Sequence, residues 1–206
     1  MVTSIVLVGG EGLRLGGDKA TQLLKDKNLL AWVVEQLAVL SEQILIVGST
    51  CQLNLAGYSS IEYMNDLYPG KGPLGGIYTG LLASESFYNL VVACDMPFLN
   101  IELLRYMIRL SPGYDAVAPW VGKAQPLQAV YSKSCLDRIR ERLEKGWLSV
   151  TRFLSTVNVR YVEQVECQSF DPQLLNFLNI NSPADLAQAN MLAAEKKDWL
   201  GNKNSL

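Results

Sequence analysis

The sequence contains no histidine. That removes the His-containing zinc sites and any Ser-His or Cys-His nucleophile pair. Cysteine is sparse. Cys51, Cys94, Cys135 and Cys167 stand far apart and no C-x-x-C pair occurs, so the pattern predicts reduced thiols acting as small core residues. A basic run is missing too. Lys and Arg number 18 against 20 Asp and Glu, a net charge of −2, which excludes a general nucleic-acid binder whose affinity comes from neutralising phosphates over a broad surface. No apolar stretch is long enough to span a bilayer, and the first apolar run is short and lacks a basic leader. The expectation is a cytoplasmic protein without a membrane partner.

What remains is the composition of a globular chain. With 206 residues, 49% of them hydrophobic and 18% charged, the sequence can bury a core of ordinary domain size. We read one domain over residues 1–195 and a polar tail over 196–206.

The stretch from Ser4 to Leu24, SIVLVGGEGLRLGGDKATQLL, organises the rest. An apolar, β-branched run stops at Gly9-Gly10, and a glycine-rich loop follows with Arg14 and then Gly16-Gly17-Asp18-Lys19. A buried strand running into a glycine loop with cations is how α/β proteins approach a phosphate chain: glycine lets the backbone come close, amides face the oxygens, and Arg and Lys offset charge. Two better-known phosphate loops fail on inspection. Gly12 to Gly17 has Walker A spacing, but Asp18 stands where Lys is needed. The dinucleotide fingerprint begins at Gly10-Glu11-Gly12 and then meets Leu15 at its third glycine position. A plain chain-reversing turn is the competing reading of the loop.

Along the chain, Leu23–Lys25 reads as a short extended piece and Asp26-Lys27-Asn28 as a turn. Leu29–Leu40 has helical spacing, Gln43–Val47 and Ile61–Met64 are strands, and a helix runs from Gly75 to about Ser84. Asn89–Ala93 is the next buried strand, followed by an Asn100–Leu110 helix. Then come a Tyr114–Pro119 strand, a hairpin-like region, a Lys133–Lys145 helix and a short Trp147–Leu154 helix. Val157–Val162 and Val165–Phe170 read as late strands, and Ser182 caps a final helix with Pro183 in its first turn and Asp185 at the capping-box position. This alternation predicts an α/β fold with a mostly parallel (mixed) sheet and helices on both faces. Asp95 stands at the C-terminal end of a buried strand, where open α/β sheets bind ligands. A carboxylate there can hold Mg²⁺ against a triphosphate, or can simply cap the helix that follows.

The wording of five segments goes further than their spacing. LVGGEGLRLGGDKATQLL, PGKGPLGGI after Asp66, CDMPF, GKAQPLQAVY and NINSPADL resemble, in this order, the motifs of the molybdenum cofactor guanylyltransferases. The resemblance runs from Leu7 to Leu186, and it implies a Rossmann-like nucleotidyltransferase fold. Valine at Val8 and leucine at Leu15 replace the usual alanine and methionine; Asn28 replaces a proline in the turn that follows the loop.

The activity implied is transfer of GMP from GTP to the terminal phosphate of the molybdopterin cofactor, with pyrophosphate released and Mg²⁺ as cofactor. Leu7, Val8, Gly9, Gly10, Lys19, Asp66, Gly75 and Asp95 would then bind nucleotide. Arg14 would contact the β- and γ-phosphates, Lys19 would bridge toward the α-phosphate, and Asp95 would hold the metal. Lys123, Gln125, Pro126, Asn179 and Asn181 would face the pterin. Proteins that deliver or accept the cofactor are implied as partners. The same fold leaves open a relative using CTP on the pterin, or an NTP on another small phosphate, and a nucleotide-binding subunit without turnover. The L-x-G-G start and G-D-K favour guanine, because the cytidylyl relatives usually show L-A-A-G.

Overall fold

Thr3–Val8 is buried along its whole length and forms β1, the strand around which the sheet is arranged in the computed structural model, which describes residues 2–9, 22–48 and 61–195. A small ribbon follows, β2 (Leu23–Leu24) against β3 (Lys27–Asn28), and leads into α1 (Leu29–Leu37). Then come β4 (Gln43–Gly48), β5 (Ile61–Asn65), α2 (Gly72–Ala83), β6 (Tyr88–Ala93) and α3 (Ile101–Leu110). The later half adds β7 (Ala116–Val121), β8 (Lys123–Ala124), β9 (Gln128–Ser132), α4 (Leu136–Glu144), α5 (Val150–Leu154), β10 (Val159–Glu163), α6 (Gln164–Phe170) and α7 (Pro183–Glu195).

The strands lie in the order β10-β7-β9-β6-β1-β4-β5, with β8 folded back on β7. β1 is parallel to both β4 and β6, and β4 to β5; β9 is antiparallel to β6 and β7. The sheet is therefore mixed and mostly parallel, as the sequence predicts. From β1 the chain winds outward through β4 and β5, then returns to the opposite side of β1 as β6. The β1/β6 junction is thus the switch point of the topology, where open sheets leave a crevice beyond their strand ends.

Alternation along β1 divides the core. Val6 and Val8 pack with Leu30, Val33 and Val34 of α1 and Leu103, Leu104 and Met107 of α3. Ile5 and Leu7 face Leu74, Ile77 and Leu81 of α2, Ile139 of α4 and Phe153 of α5. A third cluster (Leu24, Leu29, Trp32, Phe98, Ile180, Ala189 and Ala193) seals α7 against α1 and the loop after β6. Glycine makes the second layer possible. A Cβ on Gly80 would lie 2.5 Å from Ile5 Cγ2, and one on Gly76 3.0 Å from Leu7 Cδ2, so α2 rests directly on β1.

Several boundaries differ from expectation. Val165–Phe170 is helix α6, not a strand. Val165 and Cys167 imitate strand alternation, but Glu163 and Glu166 form a reciprocal capping box that starts a helix, leaving Cys167 as its buried residue. α2 begins at Gly72 rather than Gly75, because Pro73 fits the first turn of a helix and lacks only an amide that would be unpaired there. α1 stops at Leu37, and Leu40 reaches the core rim from the turn that follows. Trp147 belongs to the turn before α5, between the cations of Arg142 and Lys145 at 5.8 and 4.9 Å from its ring centroid, and Ser149 caps the helix through the Arg152 amide. The capping pair at α7 is as expected: Asp185 Oδ2 accepts from the Ser182 amide at 2.8 Å and Ser182 Oγ from the Asp185 amide at 3.2 Å. The tail 196–206 lies outside the described residues.

Candidate active site

Parallel register brings the strand ends level. Val8 is opposite Gly48, Gly48 opposite Asn65, and Leu7 opposite Ala93. The β1/β4 approach depends on Gly48, whose φ is +126° and whose Cβ, if present, would fall 1.8 Å from the Val8 carbonyl oxygen. Gly9 emerges exposed at the end of β1. Gly10, Arg14 and Lys19, expected to contact phosphates, lie outside the described residues.

Beside Gly9, the Cys94 amide donates to the Leu7 carbonyl at 3.1 Å and extends the β1/β6 pairing one step past Ala93. Asp95 comes next. It is half-buried, between Cys94 and Met96, which are each 3% exposed. Asp95 is therefore the polar exit of an otherwise buried run at the switch point. It does not cap α3; that role belongs to Asn100, whose side chain accepts from the Leu103 amide at 2.9 Å. The Asp95 carbonyl in turn accepts from the Ile180 amide at 2.9 Å, which carries Asn179 and Asn181 to the same loop. Asn179 is half-buried and Asn181 exposed, with the Asn181 amide donating to Asp185 Oδ2 at 2.9 Å.

Asp66 follows β5, on the other side of β1. From β6 to β5 is three inter-strand steps, about 14 Å. Asp66 Oδ1 accepts from the Tyr68 amide at 2.9 Å and lies 3.0 Å from the Thr79 hydroxyl, which the Leu67 amide also reaches at 3.0 Å. Gly75 is buried against this turn: a Cβ there would lie 3.0 Å from the Tyr68 carbonyl and 3.2 Å from Asp66 Oδ2. Asp66 and Gly75 thus act together in shaping the loop into α2.

On the opposite flank, β7 runs parallel to β6, two inter-strand steps away or about 10 Å, so the β7–β8 hairpin opens at the same end of the sheet. Lys123 is exposed there, just past Gly122 with its φ of +66°. Gln125 donates its amide to the Pro119 carbonyl at 2.9 Å, and the buried Tyr131 hydroxyl donates to the Pro126 carbonyl at 2.7 Å, fixing the turn into β9. Neither Gln128, a buried amide of β9, nor the polar contacts around Asp95 described below were legible from residue type.

Two of the described thiols, Cys135 and Cys167, are chemically quiet. Burial pushes Cys135 and Cys167 up to about 12, which keeps both protonated and poor nucleophiles at neutral pH. Among the described residues no three acidic or thiol groups converge as a metal cage. A site with one carboxylate still fits Mg²⁺, which prefers hard oxygen ligands and is commonly held by one or two carboxylates together with substrate phosphates. The half-buried Asp95 offers that kind of oxygen donor at the crevice.

A sequence profile described as the MobA-like NTP transferase domain matches residues 4–159, well over half of the chain. The chain belongs to this family. A molybdenum cofactor guanylyltransferase from Syntrophotalea carbinolica is 34% identical over 188 residues, 89% of this chain and 88% of its own. One from Desulfosudis oleivorans is 31% identical over 191 residues, 91% of this chain and 94% of its own. The crystal structure of molybdopterin-guanine dinucleotide biosynthesis protein A from Archaeoglobus fulgidus superposes with a TM-score of 0.80 at 30% identity, covering 94% of this chain and all of its own. Family nucleotidyltransferases of this kind generally use a divalent metal. No helix of the described residues is long and apolar enough to cross a membrane.

Proposed function

We propose that this enzyme transfers GMP from GTP to the terminal phosphate of the molybdopterin cofactor. A pterin phosphate oxygen attacks the α-phosphorus, the bond from that phosphorus to the α–β bridging oxygen breaks, and pyrophosphate leaves. No protein nucleophile is required, in keeping with a chain that has no histidine and whose Cys135 and Cys167 are held protonated. The protein's task is to align two anions and to offset charge at the reacting phosphorus.

The observation that carries this reading is Asp95 at the β1/β6 switch point, directly beside the strand end from which the glycine loop departs. Asp95 would hold Mg²⁺, which when bound neutralises charge on the phosphates. Amides at Gly9 and Gly10 would cradle the phosphates, with Arg14 on the β- and γ-groups and Lys19 toward the α-group. Leu7, Val8, Asp66 and Gly75 would border the nucleotide. Lys123, Gln125, Pro126, Asn179 and Asn181 would border the pterin on the other side of Asp95. Residues 1–195 would form the catalytic domain, working in the cytoplasm with proteins that deliver and receive the cofactor. The CTP alternative has no comparable support, since both relatives above are named for guanylyl transfer.

Thermal unfolding with Mg²⁺ and each of GTP, CTP, ATP and UTP tests the nucleotide. At about 100 times its dissociation constant GTP should add roughly 2.7 kcal/mol, a rise of about 5–10 °C in Tm. Adding the molybdopterin cofactor to the GTP complex should then release pyrophosphate. A shift with CTP in place of GTP, or GTP binding without pyrophosphate, would overturn the assignment.

A further inference from the structure

The loop after β6, Cys94 to Asn100, leaves the ladder after one bond and must satisfy its remaining backbone groups elsewhere. Three of them are met from other parts of the chain. The Asp95 carbonyl accepts from the Ile180 amide at 2.9 Å. The Pro97 carbonyl accepts from Gln36 Nε2 at 2.6 Å. The Asn100 amide donates to Asn176 Oδ1 at 2.6 Å. The loop is thereby held from α1 on one side and from the C-terminal segment on the other.

Gln36 makes a specific connection. Its amide nitrogen spends its second hydrogen on the Trp32 carbonyl, 2.7 Å away and one helical turn back, so both donors are engaged and the side chain is fixed to its own helix. Trp32 is 5% exposed and packs in the same cluster as Phe98 and Ile180 of the clamped segments. Asn176 is fully buried, with its backbone N–H donating to Asp171 Oδ2 at 2.7 Å, and its removal would open the core. Gln36 is half-buried at the rim of α1, so it can be changed without opening the core.

We propose that Gln36 is a positioning residue for the metal–nucleotide complex: by gripping the Pro97 carbonyl it sets the direction of the Asp95 carboxylate two residues earlier. The proposal rests on the metal role assigned to Asp95 above. A side chain leaves its backbone in a direction set by the local φ and ψ, and a carboxylate displaced by even half an ångström coordinates less well. With the Asp95 carbonyl tied to Ile180 and the Pro97 carbonyl tied to Gln36, the intervening peptides have little freedom. Loosening one tie should weaken the metal's contribution to nucleotide binding while sparing the contacts that do not involve metal.

The experiment measures GTP affinity calorimetrically, without pterin and so without turnover, once with Mg²⁺ and once with the metal chelated. The ratio of the two constants is the metal-dependent gain. Gln36→Met keeps the volume and removes both donors; Gln36→Glu places acceptors against the two carbonyls. Each should cut the gain about tenfold, the lower end of the range for losing a direct partner of a metal ligand, because Gln36 acts through the Pro97 carbonyl and not on Asp95 itself. Affinity with the metal chelated should match the parent protein. An undiminished gain in Gln36→Met, or an equal loss with and without metal, would overturn the proposal. Asp95→Asn separates the two layers. If Asp95→Asn retains the gain, the metal assignment falls and the positioning role with it. If Asp95→Asn abolishes the gain while Gln36→Met keeps it, only the positioning role falls.

Discussion

Gln128 is fully buried on β9, opposite Val92 of β6 and on the same face as Val130, and neither polar atom of its side chain has a hydrogen-bond partner among the described residues. An unpaired buried amide keeps its desolvation cost without a compensating bond, about 1–3 kcal/mol. Gln128→Met retains the shape and removes that cost. The variant should therefore gain about 1–3 kcal/mol, seen as a Tm higher by about 2–12 °C. A lower Tm in calorimetry would show that the amide makes a net favourable contact and would sink this account. The residue scale also shows what a sequence reveals. Asp95 stands out because the CDMPF motif around it is specific and agrees with its place at a strand end; a lone carboxylate there would more often be a helix cap. Gln128 and Gln36 do not, since their significance lies in what surrounds them: apolar neighbours for one, the Pro97 carbonyl for the other.

At the scale of elements, the segment read wrongly as a strand is held by one carboxylate. Glu166 Oε2 accepts from the Glu163 amide at 2.9 Å, while Oε1 accepts from the Tyr106 hydroxyl at 2.8 Å and from Arg160 at 2.7 Å. Burial raises its pKa, but the Glu163 amide, the Tyr106 hydroxyl and the Arg160 guanidinium outweigh that and leave it below the ordinary glutamate value. A depressed carboxylate contributes stability that is fully present above its unfolded pKa, near 4.3 by the usual reference of about that value, and that is lost as pH falls through the lower folded value. Glu166→Gln should cost about 1–2 kcal/mol at neutral pH, and the gap to the parent protein should close in acid. Denaturant midpoints measured from neutral to acid pH check this; a pH-independent gap would assign the loss to packing instead. The alternation of Val165 and Cys167 concealed this helix because its decisive contacts reach back to β10 and across to α3. Strands β1, β4 and β6 were legible for the opposite reason, since each holds a continuous apolar run bounded by turn residues. α2 was half legible: its glycines point to close approach, but the surface approached at Gly76 and Gly80 is β1.

For the whole molecule, the strand order separates two flanks around Asp95. β4, β5 and the Asp66–Gly75 turn lie on one side of the β1/β6 junction; β9, β7 and the Lys123 hairpin lie on the other. The proposed reaction requires its two substrates to meet at that junction, one from each flank. Hydrogen exchange can read the flanks separately. GTP with Mg²⁺ should slow exchange at amides of Val8 and Gly9, of residues 66–75 and of the loop after β6, and should leave the hairpin at 122–126 unchanged. Adding the molybdopterin cofactor should extend protection to that hairpin and to 179–182. With ligand at about 100 times its dissociation constant, amides whose opening requires ligand release should exchange on the order of 100-fold more slowly. Protection of the hairpin by GTP alone would place the nucleotide across both flanks. The division of labour about Asp95 would then be wrong, and the pterin would have to enter by another path.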